Sequence, residues 1–114
     1  MMHWTITYYS ESVQAEVLEL PADFLARYLR YSDRMEVYGP DLGMPHTRAM
    51  GDGLFELRLK AVGGTARIFY CTIVERRIVI LHQFIKKSGK TPRKELAIAR
   101  GRMREVKNAY TQRT

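Results

Sequence analysis

Arg58, Lys60, Arg67, His82 and Lys86 are the side chains of this sequence best suited to reaction chemistry, and each sits within or at the end of a short apolar run. Guanidinium and ammonium groups stabilise negative charge developing on a phosphate, and an imidazole or a lysine can move a proton. No Cys/His cluster has the spacing of a zinc site and no acidic cluster suits a catalytic ion, so neither a metal nor another cofactor is expected. Arg67 is the hardest to read as an ordinary surface residue. It precedes Ile68-Phe69-Tyr70, where a charge is costly without a partner.

These residues need strands to hold them. Leu54–Val62 alternates, with Phe55, Leu57, Leu59 and Ala61 pointing one way and Glu56, Arg58 and Lys60 the other. Gly63-Gly64 reads as a hairpin turn, Thr65–Val74 as the returning strand, Glu75-Arg76 as a second turn and Arg77–Ile85 as a third strand. A turn at Gly63-Gly64 sets Lys60 opposite Arg67, Leu59 opposite Ile68 and Leu57 opposite Tyr70. A turn at Glu75-Arg76 sets His82 opposite Phe69 and Phe84 opposite Arg67. Arg58, Lys60, Arg67, His82, Phe84 and Lys86 then share one face. Like charges directly opposed in a sheet repel, so an anion would resolve the conflict. Each residue also has a plain structural reading: Arg58 and Lys60 as solvated strand positions, His82 as a core histidine, Phe84 as packing.

The remaining elements follow from caps and periodicity. Residues 3–9 are aromatic and β-branched and read as a first strand. Ser10 caps a short helix whose apolar side is Val13, Val17, Leu18 and Leu20. Pro21 opens a second helix, in antiparallel contact with the first, with Phe24, Leu25, Tyr28, Leu29 and Met35 as its buried stripe. Gly39 to Gly53 is rich in Gly, Pro and Asp and reads as a loop. Thr91-Pro92 caps a C-terminal helix carrying Leu96, Ala99, Met103, Val106 and Tyr110 on one side and Arg93, Arg100, Arg104 and Lys107 on the other. The expectation is one α+β domain over residues 1–114: a twisted antiparallel sheet against two N-terminal helices, with a basic C-terminal helix.

Charge is divided unevenly. The 114 residues carry a net +7. Residues 1–53 hold four basic against eight acidic residues, whereas residues 54–114 hold fifteen basic against four acidic. Such a half is suited to meeting phosphates or an acidic protein. A single cysteine, Cys71, excludes an intramolecular disulfide. With no apolar run of membrane-spanning length and no signal-peptide order at the start, a cytoplasmic protein without membrane contact is expected.

The blocks Leu54-Phe55-Glu56-Leu57-Arg58, Arg67-Ile68-Phe69-Tyr70, Leu81-His82-Gln83-Phe84-Ile85-Lys86-Lys87 and Lys90-Thr91-Pro92, in this order and spacing, resemble the phage-related, HigB-like branch of the RelE/ParE toxin superfamily. The likeness extends over roughly residues 4–107. It implies a RelE-like α+β toxin of a type II toxin–antitoxin pair that acts as a ribosome-dependent, metal-independent mRNA endonuclease. The partners implied are the ribosome, mRNA and a cognate antitoxin, a helix-turn-helix protein. On this resemblance Arg67 takes the phosphate, Lys60 and Arg58 are further charge stabilisers, His82 or Lys86 transfers the proton, and Phe84 offers a stacking surface to a base. Lys87, Lys90, Arg93, Lys94, Arg100 and Arg104 are candidates for ribosomal RNA. The tyrosine that some superfamily members use near the end of the last strand has no match here, because Phe84 lacks a hydroxyl. A ParE-like toxin that binds a topoisomerase, or a non-catalytic nucleic-acid-binding module, are the competing expectations. On the nuclease reading, Arg67→Ala is expected to abolish toxicity on induction in cells while circular dichroism shows an intact fold.

Overall fold

A computed structural model describes residues 3–86 and 90–112. Its elements in chain order are β1 (Thr5–Tyr8), α1 (Glu11–Leu18), α2 (Ala22–Tyr38), β2 (Thr47–Gly51), β3 (Leu54–Ala61), β4 (Gly64–Ile73), β5 (Arg77–Lys86) and α3 (Arg93–Gln112). The five strands form one sheet in the order β1-β5-β4-β3-β2. The architecture is α+β, as expected. The sheet is not wholly antiparallel, because β1 lies parallel to β5 at its edge.

Ser10 starts α1, its hydroxyl accepting the Val13 N–H at 3.1 Å. Val13, Val17 and Leu20 are buried, but Leu18, rotated about 100° from Val17, faces solvent. In α2 the buried face is Phe24, Tyr28, Ser32 and Met35, while Leu29 is exposed. Pro21 stands at the N-cap of α2, just outside its first turn. Gly39 ends α2 at φ 95°, and a Cβ there would meet the Trp4 indole at 3.1 Å, so both conformation and space favour glycine. Each helix rests chiefly on the sheet, α1 against β5 and α2 against β3 and β1, instead of forming a mutual antiparallel pair.

The sheet is therefore covered on both sides. Val13, Val17, Phe24, Tyr28 and Met35 pack on Leu57, Leu59, Ile68, Tyr70, Ile78 and Ile80. On the other face Ala99 and Met103 of α3 pack on Leu54, Phe69, Cys71, Val79 and Leu81. The 39–53 run contains a strand that its composition conceals. There β2 pairs with β3, setting Arg48 opposite Glu56, and the Asp41 carboxylate gathers the preceding loop by accepting from the Gly43 N–H and the Thr47 hydroxyl.

Both hairpin registers depart in part from expectation. Ala61 pairs with Gly64, so the first turn is Val62-Gly63 and Arg58, not Lys60, stands opposite Arg67. Likewise Leu57 faces Ile68 and Leu59 faces Ala66. The slip is two residues in the pairing, which leaves every side chain on its expected face. In the second hairpin Phe69 pairs with His82 and Arg67 with Phe84 as expected, but the register shifts between Phe69 and Tyr70, so that Tyr70 meets Ile80. This bulge places Leu81 and His82 on the same side of the sheet, toward α3.

Bulging leaves the Leu81 carbonyl in need of a donor, which α3 supplies. Arg102 Nη1 donates to it at 2.8 Å, and the same guanidinium lies 4.9 Å from the Tyr9 ring centre. Tyr9 in turn donates its hydroxyl to Glu105 at 2.7 Å, and that bond pushes the phenol's pKa up. No helix of the described residues is long and apolar enough to cross a membrane. Removing this anchor by Arg102→Ala is expected to cost about 1–3 kcal/mol, read as a lower urea midpoint with an unchanged slope.

Candidate phosphate-binding cleft

Beyond the apolar part of its packing against the sheet, α3 leaves one corner of that face uncovered. The corner is a cleft of about 450 Å³ lined by Arg48 and Met50 of β2, Arg58 of β3, Arg67 of β4, Lys86 at the end of β5, and Lys90 and Thr91 ahead of α3. The strand order brings these together: β2, β3, β4 and β5 are neighbours, and Arg48, Arg58 and Arg67 come from adjacent strands, with Arg58 directly opposite Arg67.

One carboxylate sits among these cations. Glu56 is fully buried, and its Oε1 accepts from Arg67 Nη1 at 2.8 Å, with Arg58 Nε 3.8 Å away. Its Oε2 is 3.4 Å from the Thr91 hydroxyl. Thr91 thus points to the cleft, while the Pro92 carbonyl accepts the Glu95 and Leu96 N–H groups that begin α3. The Arg67 side chain is nine-tenths buried, yet its Nε has no hydrogen-bond partner among the described residues. An unpaired buried donor beside several cations is what an oxyanion would satisfy. Lys86 is buried too, and burial, reinforced by the Arg67 guanidinium, pushes its pKa down against the upward pull of Glu56.

The other expected site residues are distributed around this centre. Lys60 is exposed and lines a separate pocket shared with Arg58. His82 points to α3, where Nε2 meets Glu95 Oε2 at 2.5 Å, and its buried Nδ1 has no partner among the described residues. Phe84 stands opposite Arg67 but packs with Phe69, ring centres 5.8 Å apart, at the rim of the apolar cluster. Lys90 lines the cleft. Arg93, Lys94 and Arg104 are exposed on α3. Arg100 is engaged by the β2–β3 turn, donating to Met50 O at 2.8 Å and Gly51 O at 3.3 Å. Lys87 lies outside the described residues. Among the described residues no three His, Cys, Asp or Glu side chains gather as a metal site.

Residues 15–104 match the family model described as Phage derived protein Gp49-like (DUF891). The chain belongs to this Gp49-like family. No curated protein matches it. The Gp49-like match begins within α1 and ends within α3, so it contains every residue of the cleft and leaves out β1.

Glu56, Arg48, Met50 and Thr91 are the cleft residues that the strand pattern did not single out. The corrected register supplies a signal for Glu56: with Arg58 opposite Arg67, Glu56 is the diagonal neighbour of Arg67 on the same face. The pairing also bears on the fold of Arg67→Ala, since this variant leaves Glu56 buried without its closest cation and is expected to lose stability as well. Glu56→Leu is expected to cost about 3–5 kcal/mol, because it strands a buried guanidinium. Combining it with Arg67→Leu should recover most of that loss in urea unfolding. Additive losses in the double variant would show the two side chains to be energetically independent.

Proposed function

We propose that this Gp49-like protein is the toxin of a type II toxin–antitoxin pair, of the RelE/HigB kind, and cuts mRNA on the ribosome without a metal ion. The observation that carries this reading is the convergence of Arg48, Arg58, Arg67, Lys86 and Lys90 on one cleft with a single buried carboxylate. Such a site is over-supplied with positive charge and suits a phosphodiester.

In the proposed reaction the ribose 2′-hydroxyl loses its proton and attacks the adjacent phosphorus. The 5′-oxygen of the next nucleotide leaves and takes up a proton, giving a 2′,3′-cyclic phosphate and a 5′-hydroxyl. Arg67, held by Glu56, faces the negative charge that grows on the phosphoryl oxygens, with Arg58 beside it. Lys86 is the proton-transfer group favoured by position: it lines the cleft, whereas His82 is engaged by Glu95. A lowered lysine pKa makes the neutral amine easier to reach, which suits proton withdrawal. Lys90, Arg93, Lys94 and Arg104 extend the positive surface toward ribosomal RNA, and Arg100 serves the β2–β3 turn. A neighbouring acidic antitoxin is the proposed protein partner, captured through the same basic half.

Lys86→Arg separates charge from proton transfer, because arginine remains protonated. Primer extension on a message under translation in vitro is expected to show cleavage falling by about 10²-fold or more in this variant, with toxin still bound to ribosomes. Wild-type cleavage by Lys86→Arg would assign Lys86 to charge alone. Growth arrest with uncut message and altered DNA supercoiling would favour the topoisomerase reading instead.

A further inference from the structure

A second pocket adjoins the cleft through Arg58, on the side facing α2. It has a volume of about 180 Å³ and is lined by Arg27, Tyr31, Pro45, His46, Arg58 and Lys60. That is smaller than the roughly 300 Å³ at which sites for whole small molecules begin. It suits one flat ring of a longer ligand. Its chemistry is uneven: Tyr31 and His46 form an aromatic wall, ring centres 4.7 Å apart, while Arg27, Arg58 and Lys60 supply cations.

Among the described residues neither Arg27 nor Lys60 has a carboxylate within ion-pair distance. Arg27 reaches only the Asp23 carbonyl, at 3.2 Å. The wall is also held in place. The His46 N–H donates to Gly43 O at 3.1 Å, and the His46 carbonyl accepts the Arg58 N–H at 2.9 Å. His46 is thereby tied to the strand position whose side chain borders both pockets.

We propose that this pocket seats a neighbouring nucleotide of the single-stranded RNA whose phosphodiester lies in the cleft, the base against Tyr31 and His46 and its phosphate between Arg27 and Lys60. The inference rests on the nuclease reading and extends it to a binding track that turns from the α3 face around Arg58 toward α2. Lys60 becomes a strand-guiding residue on this track, outside the reacting centre. Stacking on an aromatic wall is sequence-tolerant, so the seat gives strand affinity with little base preference.

The test is a fluorescein-labelled oligouridylate carrying 4-thiouridine, titrated by anisotropy with the full chain at several salt concentrations and then irradiated. Arg27→Ala/Lys60→Ala is expected to weaken binding about tenfold and to reduce the slope of log K against log salt by about 0.7, since the one phosphate held between the two cations is no longer neutralised. Tyr31→Leu should weaken binding about tenfold with the slope unchanged. The wild-type crosslink should fall on the peptide holding Tyr31 or His46. The surface pair Arg27→Ala/Lys60→Ala keeps the test valid if Tyr31→Leu fails to fold. Wild-type affinity and slope in the variants, or a crosslink confined to the cleft, overturns the seat whether or not message is cut. An uncut message in the translation assay overturns the nuclease reading instead, and the inference with it.

Discussion

Glu56 is buried where the side chains of Arg58 and Arg67 approach each other from adjacent strands. Two unit charges about 5 Å apart repel by roughly 3 kcal/mol at an effective dielectric constant near 20. Without a carboxylate between them the β3–β4 ladder would carry that repulsion in the interior of the strand order. Glu56 offsets it but cannot neutralise the five cations that line the cleft. The residue that makes the sheet tolerable also leaves it short of negative charge. The stability of the ladder and the positive charge of the cleft therefore come from the same few side chains, and a change made to one alters the other.

Helix α3 couples this electrostatic corner to the core. Ala99 and Met103 close the apolar cluster, Arg102 satisfies the carbonyl exposed by the β5 bulge, Arg100 fastens the β2–β3 turn, and Thr91 just ahead of the helix reaches Glu56. The bulge matters because strand alternation alone would turn His82, Phe84 and Lys86 to the helix side of Ile80, away from Arg67. One extra residue reverses their facing. It puts Lys86 into the cleft and His82 against Glu95.

Local signals made much of this legible in the sequence. The alternation in 54–62 gives β3 and its two faces, and Ser10 gives the start of α1. Register was harder to read: glycine marked the first turn only to within a residue, and the two-residue slip moved Arg58 into the place expected for Lys60 without changing any facing. Glu56 was hidden because outward-pointing charges in a strand are ordinarily solvated, and the partners that surround it, Arg58, Arg67 and Thr91, come from three separate segments of the chain. β2 was masked by Gly, Pro and Asp, since an edge strand pairs on one side and needs little β-propensity of its own. The parallel β1–β5 contact joins residues some 70 positions apart, and nothing local encodes it. Leu29 lies on the solvent side of α2 because the helix buries a stripe through Phe24, Tyr28 and Met35 narrower than its apolar composition suggests.

Why the cleft stays open follows from what lines it. Core voids close because apolar side chains gain by meeting, but here the walls are mostly guanidinium and ammonium groups that repel across the gap. Met50 is the one apolar residue in the lining. Two of the cations also cannot swing freely outward, since Arg67 is held by Glu56 and Lys86 is buried at the end of β5. The result is a pair of positive groups, Arg67 and Lys86, held in place before any anion arrives. Charges fixed in this way need little reorganisation when a phosphate becomes more negative during reaction, and that is the circumstance in which electrostatic stabilisation acts most strongly. The same geometry implies that a neutral ligand of equal size would gain little here, because it would leave the Arg67 Nε without an acceptor of matching charge.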